Sequence, residues 1–572
     1  MRVSAALVAP GGEPIALRLM TAVAPLDLDR SHWTLVDAAR QQAARYGERV
    51  FHRFDDGTEL SFAELDTATD ALAGALAGLG VQPGDRVLAL ATNSKAFLLA
   101  MFATYKRRAI FTPINTELKG AFLEHQVRNS EPRVVVVDAE LLALFDHVDT
   151  TGVDIEHTVV IGELPPGAEL PTALARSARH GWDDVVAGAG MSGPGSPEVL
   201  DPEPSDICTI MYTSGTTGPS KGVLLPQAHC FLFGKGAADA VAITEDDHYF
   251  TCMPFFHANA LFMQMAACLV AGASATVVKR FSASSWLDDV IACGATATNA
   301  LGVMPEFIFR QPADPRDRSH RLTRVMAVPI AEEWGAAFEE RFGVRLVQGF
   351  GMTEVNMVAY SDPADPVIAG CAGRVLDEFF DVRVVDPETD ERLPVDAVGE
   401  IVVRPLQPFC FNVGYFKMPD KTVEAWRNLW FHTGDAGRFD AEGRLHFVDR
   451  LKDRIRRRGE NISSYEIEQV LNEHPAVLES AAVGIRVEGA GGEEEVKACV
   501  VLAEGAGAPD PVALLDFCVE RMPRYAVPRY IEYVPELDKT ASGKVRKAAL
   551  RETGVTAATW DRESVGYQLK RR

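Results

Sequence analysis

Residues 211–225, MYTSGTTGPSKGVLL, carry the chain out of the apolar run CTIMY and into a second apolar stretch through a loop that can build no core. From Thr213 to Pro219 every residue is small, hydroxyl-bearing or proline, and Lys221 closes the segment. Such a loop offers backbone N–H groups, hydroxyls and one cation, a set that suits a polyphosphate. It is not a Walker A loop: Pro219 and Ser220 separate Gly218 from Lys221, and Gly222 stands where Ser or Thr should follow the lysine. The competing reading is a plain surface loop.

The rest of the chain bounds the context. At 572 residues it is too long for a single core, and the formal net charge of −23 argues against nucleic acid or an anionic membrane as partner. Hydrophobic residues at 47% and charged residues at 24% fit an ordinary globular protein. Nine cysteines are dispersed without a CxxC pair or a zinc-like cluster, the usage of reduced thiols in a cytoplasmic protein. The start, MRVSAALVAPGGE, lacks the features of a signal peptide. The apolar run VLALATNSKAFLLAMFATY is broken by Asn93, Ser94 and Lys95, so no membrane span is expected.

From residue 85 onward, short apolar strands alternate with helices. VLALAT reads as a strand, and SKAFLLAMFATYKRR as a helix with Phe97, Met101 and Tyr105 on one face. AIFTPIN, the helix AFLEHQVRNS, the strand RVVVVD and the helix AELLALF continue the pattern. Residues 181–205 are rich in Gly, Pro and Ser and read as a connection. A second alternating region runs to about residue 360 and a β-rich texture follows, as in FDVRVVDPETDERLPVDAVGEIVVRP. Near residue 450 a last unit begins, its first helix opened by Ser463 with Glu466 as a capping box. The fold class is α/β: a large N-terminal domain of doubly wound αβ subdomains plus a β-rich subdomain, and a small α+β C-terminal domain. The expected boundaries are an N-terminal extension over 1–30, a large domain over 31–450 with its β-rich part at about 365–450, and a small domain over 451–572.

Read in order, YTSGTTGPSKG, MPFFHANA (253–260), GFGMTE (349–354), HTGD (432–435), DRLKDRIRRRGENIS (449–463) and KTASGKVRK (539–547) resemble the blocks of the adenylate-forming superfamily. Within it the chain looks like an acyl-CoA synthetase of the carnitine/crotonobetaine-CoA ligase-like branch. The resemblance implies an ATP- and Mg²⁺-dependent acid–thiol ligase. It couples a carboxylate to AMP with loss of pyrophosphate, and coenzyme A then displaces AMP. Catalysis of that kind rests on stabilising phosphate charge.

By the same resemblance, the loop holds the β- and γ-phosphates through Ser214, Thr216, Thr217 and Lys221, and Thr213 and Gly215 belong with them to the ATP-binding set. Thr353 contacts phosphate, and Glu354 binds Mg²⁺, a cation suited to carboxylate oxygen. Phe350 stacks on adenine among Val328, Gly349, Gly351, Met352 and Phe447. Asp435 and Arg450 hold the ribose. Lys544 sits between the α-phosphate and the substrate carboxylate. The small domain turns as a lid about Lys452, after which Gly459 lines the pantetheine tunnel and His257 gates it. Arg457, Arg458 and Glu460 belong to the coenzyme A face, and the basic run around them can equally be a solvated face. The acyl pocket is drawn from His257, Asn259, Asn299, Leu301, Gly302, Met326 and Ala327. Asp435, Glu354 and Lys544 each have a plain reading as a turn or surface charge, which their joint occurrence with the loop outweighs.

One block departs from the family pattern. Where a Gly-Ala-Pro turn is usual, the chain reads Met326-Ala327-Val328-Pro329, with larger side chains where backbone must approach a ligand. Ala260 likewise replaces a common glycine. Either the branch suits another acid, or adenylation is weakened and the enzyme mainly thioesterifies a supplied acyl-adenylate with coenzyme A. A third reading passes the acyl group to a carrier-protein thiol. A ligand-binding pseudoenzyme would require damage at Lys221, Glu354, Asp435 or Lys544, and all four are intact. The apolar pocket residues suggest a hydrophobic or bulky acid, and a homodimer is left open.

Overall fold

The computed structural model describes residues 29–188, 199–213, 219–301, 304–328, 330, 334–450, 454–457, 460–486, 493–503, 505–538, 545 and 547–569. The candidate residues Ser214, Gly215, Thr216, Thr217, Gly302, Lys452, Arg458, Gly459 and Lys544 lie outside the described residues, as does the side chain of Arg450.

The first alternating region forms a seven-stranded sheet. One of its inner strands, Val134–Asp138, carries a run of four buried valines, as a strand covered on both faces must. Neighbouring strands run parallel from Ala178–Gly181 across to β1 (Ile207–Thr213). The edge strand β2 (Lys221–Pro226) returns antiparallel to β1. Helix α1 (Gly120–Ser130) lies over this sheet, and α2 (Gln227–Val241) leaves it. A second seven-stranded sheet contains β3 (Ala297–Leu301) and β4 (Arg324–Val328), parallel to each other from Ala297 opposite Arg324 to Leu301 opposite Val328. One apolar cluster joins the two sheets, with Phe97, Met101 and Phe111 packed among residues such as Phe255, Leu261 and Met265.

Three elements differ from their sequence reading. The helix Lys95–Tyr105 buries every residue from Ala96 to Tyr105, more than one face, because it is enclosed within this shared core. Its start explains the polar break: Ser94 Oγ accepts from Phe97 N at 3.2 Å, a helix cap inside an apolar run. AELLALF forms a 3₁₀ helix, Ala139–His147, in which the buried Leu142 and Phe145 stand three residues apart on one edge. The segment after 181 opens with a short helix, Trp182–Gly188, before the residues that are not described.

The β-rich region is a third, wholly antiparallel seven-stranded sheet. Its members include β5 (Gly349–Met352), β6 (Gly399–Pro405), β7 (Phe431–Phe439) and β8 (Leu445–Arg450). The C-terminal region begins with the hairpin β9 (Arg454–Arg457) and β10 (Glu460–Ser463), then α3 (Ser464–Asn472) and a four-stranded sheet. Its core is continuous with the first sheet: Ile455, Ile462 and Ile467 share a cluster with Phe122, Leu123 and Val135. Among the described residues no helix is long and apolar enough to cross a membrane.

Candidate active site

The stem of the candidate phosphate loop is fixed by strand pairing. Thr213 and Lys221 stand opposite each other in the antiparallel pairing of β1 and β2, which fixes both ends of the segment that joins the strands. The preceding residue, Ser220, is gripped from three sides. Glu466 Oε1 on α3 accepts from Ser220 N at 3.1 Å, the His125 ring on α1 reaches Ser220 O at 2.8 Å, and Gln126 Nε2 donates to Ser220 Oγ at 3.2 Å. Burial lowers the pKa of His125, leaving a neutral ring that donates one N–H to the carbonyl. Burial pushes the Glu466 carboxyl up to about 7 against the opposing Ser220 hydrogen bonds. Beyond its place in the first turn of its own helix, Glu466 thus reaches the loop stem 246 residues away.

Glu354 follows β5 and is 2% exposed. Its Oε1 accepts from Thr213 Oγ1 at 3.1 Å and from Tyr415 Oη at 3.2 Å, while Asn412 Nδ2 donates to its backbone carbonyl at 2.7 Å. Lys221 Nζ lies 4.6 Å from the centre of the Tyr415 ring, within cation–π range. One tyrosine thus touches both the loop lysine and the candidate metal carboxylate. Gly351 is required by close approach: a Cβ there would come within 2.4 Å of Asn356 O across the hairpin. Behind the turn the His229 ring lies between Thr353 O at 3.1 Å and Cys410 O at 3.2 Å, and burial lowers its pKa to about 4.

The candidate nucleotide residues converge on β7 and β8. Asp435 and Arg450 are directly opposed in their antiparallel register, and Gly437 faces Phe447. Phe447 and Phe350 have ring centres 6.3 Å apart with planes inclined by 26°, which brings β5 against β8 at the expected adenine position. Asp435 is 2% exposed, and its backbone N–H donates to Thr433 Oγ1 at 3.1 Å. Sequence reasoning missed Glu400 on β6. It accepts from Gly434 N at 3.0 Å and holds His432 Nδ1 at 2.9 Å, clamping the turn that presents Asp435. Burial works against its charge, but His432, Gly434 N–H and Arg427 prevail and lower its pKa.

His257 is placed by Asn93, whose Oδ1 accepts from Phe255 N at 2.7 Å and whose Nδ2 donates to Met253 O at 2.8 Å. Its Nε2 lies 3.0 Å from Glu460 Oε1 on β10, across the boundary between the large and small domains. Burial opposes the charged imidazole, yet Glu460 and Glu117 outweigh it and raise its pKa. Burial first, and then Glu460, raise that of Glu117 in turn.

Two groups of expected residues are placed otherwise. Met326 and Ala327 have no exposed surface, since β4 pairs through them with β3 and packs one side chain into each of two apolar clusters. They fill core rather than line an open pocket. Asn259 and Asn299 are also buried, in a polar chain: Asn299 Nδ2 and Gln264 Nε2 donate to Asn259 Oδ1 at 3.1 and 2.7 Å, and Tyr249 Oη donates to Asn299 Oδ1. Leu301 and Val328 stay half-buried at the ends of their strands. Arg457 is not a surface cation of the coenzyme A face: it is 1% exposed, pairs with Glu495 at 2.8 Å and donates to Tyr525 O and Val527 O at 2.8 Å each.

With the loop stem, the acidic turn and the strands that carry Asp435 and Arg450 in these places, the chain belongs to the AMP-binding enzyme family. The family model for the AMP-binding enzyme matches residues 39–409, and that for the AMP-binding enzyme C-terminal domain matches residues 466–544. Within the family it is an ATP-dependent ligase of the acyl-CoA synthetase class. It is 30% identical to crotonobetaine/carnitine–CoA ligase of Salmonella paratyphi B over 498 residues, 86% of this chain and 93% of that protein. ATP-bound MatB from Rhodopseudomonas palustris aligns at 26% identity with a TM-score of 0.63, covering 91% of this chain and 99% of the other. The o-succinylbenzoate CoA synthetase MenE from Bacillus subtilis shares the fold with a TM-score of 0.75 at 23% identity, covering 91% and 98%.

Proposed function

We propose that the protein activates a hydrophobic or bulky carboxylic acid as its acyl-adenylate with Mg²⁺ and ATP, and passes the acyl group to coenzyme A. The observation that carries this reading is the bond from Thr213 to Glu354 beside the linking of Lys221 and Glu354 through Tyr415, at the root of the candidate phosphate loop. Lys221 neutralises the departing pyrophosphate, and Thr353 contacts phosphate beside it. Mg²⁺ fits the donor set, because Glu354 offers a buried, hydrogen-bonded carboxylate and Mg²⁺ characteristically takes one or two carboxylates plus phosphate oxygens. Bound there, the ion would offset phosphate charge during displacement.

Asp435 and Arg450 hold the ribose, with Phe350 and Phe447 against adenine. Lys544 bridges the α-phosphate and the carboxylate as the two anions meet. His257 and Glu460, together with Gly459 and Arg458, serve the thiol-accepting half-reaction after the lid turns about Lys452. An apolar acid is favoured because the Asn259–Asn299–Gln264–Tyr249 groups largely satisfy one another, leaving Leu301, Val328 and Met352 as half-buried apolar surface. The regular pairing of β4 through Val328 supports retained adenylation, since the larger side chains at 326 and 327 are absorbed by the core. Acid-dependent exchange of labelled pyrophosphate into ATP, without coenzyme A, tests the reading. A panel of apolar acids that gives no exchange above background removes it.

A further inference from the structure

Tyr415 lies outside every motif that marked the site, in the loop after β6. That loop is stitched along the edge strand β2: Leu224 N donates to Gly414 O at 3.0 Å, Val413 N to Leu224 O at 3.1 Å and Phe416 N to Gly222 O at 2.7 Å. Its neighbour Asn412 donates to the Glu354 carbonyl at 2.7 Å, and Tyr415 N donates to Thr422 Oγ1 at 2.9 Å. The side chain is 7% exposed, so its ring and hydroxyl have fixed directions. The ring face meets Lys221 at 4.6 Å, and the hydroxyl donates to Glu354 Oε1 at 3.2 Å.

We propose that Tyr415 is a positioning residue for the adenylation step, holding the Lys221 ammonium and the Glu354 carboxylate in fixed relation to the same polyphosphate. The inference rests on the proposed roles of those two residues. A phenol suits the task because it adds no charge to a site that must admit both a metal ion and a polyanion. Its ring attracts the ammonium without neutralising it, as a carboxylate would. Its hydroxyl and that of Thr213 converge on Oε1, which sets the carboxylate plane and, among the described residues, leaves Oε2 for the metal. Hydrogen bonds of this kind to a metal-binding carboxylate characteristically govern affinity for the ion.

Tyr415→Phe removes only the hydroxyl, and Tyr415→Leu removes the ring as well. Calorimetry of Mg²⁺ added to protein preloaded with a non-hydrolysable ATP analogue should show about tenfold weaker metal binding for Tyr415→Phe. Its affinity for the metal-free analogue should match the wild type, whereas Tyr415→Leu should weaken both. Transfer from a synthetic acyl-adenylate to coenzyme A, which needs neither metal nor pyrophosphate contacts, should be unchanged in both variants. Wild-type Mg²⁺ affinity in Tyr415→Phe overturns the proposal, and so does an equal loss in transfer, which would mark a purely structural role. Failure of the wild type to bind the analogue with Mg²⁺ would instead overturn the reading of the site on which the proposal stands.

Discussion

His257 and Glu460 lie 203 residues apart in the chain and 3.0 Å apart in the fold, joining the aromatic-histidine block to the hairpin that opens the small domain. A second contact, Glu466 to Ser220 N, crosses the same boundary at the root of the proposed phosphate loop. Both acidic side chains come from the small domain, so its docking in this orientation engages His257 and the loop stem together.

The docked arrangement should weaken as pH rises. Glu466, raised to about 7 from a usual 4.5, favours docking while protonated, and this contribution falls away as pH climbs through that window. His257, raised above its usual 6.5, favours docking while charged and loses that contribution above 6.5. Energy transfer between dyes on the two domains should report a larger docked fraction at pH 6 than at pH 8.5. Glu466→Gln, which keeps an acceptor for Ser220 N, should flatten the lower part of the profile. A docked fraction that stays level or grows with pH contradicts this account.

Asp435→Ala should raise the KM for ATP roughly thirtyfold, the loss of about 2 kcal/mol expected for hydrogen bonds to a charged group. Glu400→Gln should raise it less, because the amide keeps one acceptor for the Gly434–His432 turn. Steady-state kinetics at saturating acid decide the matter: unchanged nucleotide KM in Asp435→Ala removes the ribose role.

Arg457→Ala should destabilise the small domain by about 3 kcal/mol, since it leaves Glu495 without its buried partner. The KM for coenzyme A should change little in protein that remains folded. Denaturant unfolding followed by the small domain's own signal measures the first effect. A large KM change with unaltered unfolding would return Arg457 to the coenzyme A face.

The alternation of strands and helices was legible because buried parallel strands such as Val134–Asp138 write themselves as continuous apolar runs. Asp435 and Arg450 were legible as types in separate motifs, and β7–β8 pairing supplies the geometry that joins them. Glu400, Tyr415 and the Ser220 clamp were not legible, since each acts on a partner distant in sequence and no local pattern marks it. The same limit hid the contact of Glu466 with Ser220 and misplaced Arg457, whose place in a basic run conceals a buried pair. Met326 and Ala327 were read from motif alignment, which carries no information on which strand faces reach a ligand.

The central claim is that this chain carries out both adenylation and thioesterification. It is tested most directly by incubating the protein with a panel of apolar acids, ATP, Mg²⁺ and coenzyme A, beside matched synthetic acyl-adenylates with coenzyme A alone, and quantifying products by mass spectrometry. The account predicts AMP and acyl-CoA in equal amounts from the free acid. Acyl-CoA formed from the supplied adenylates, with none from any free acid, would contradict it.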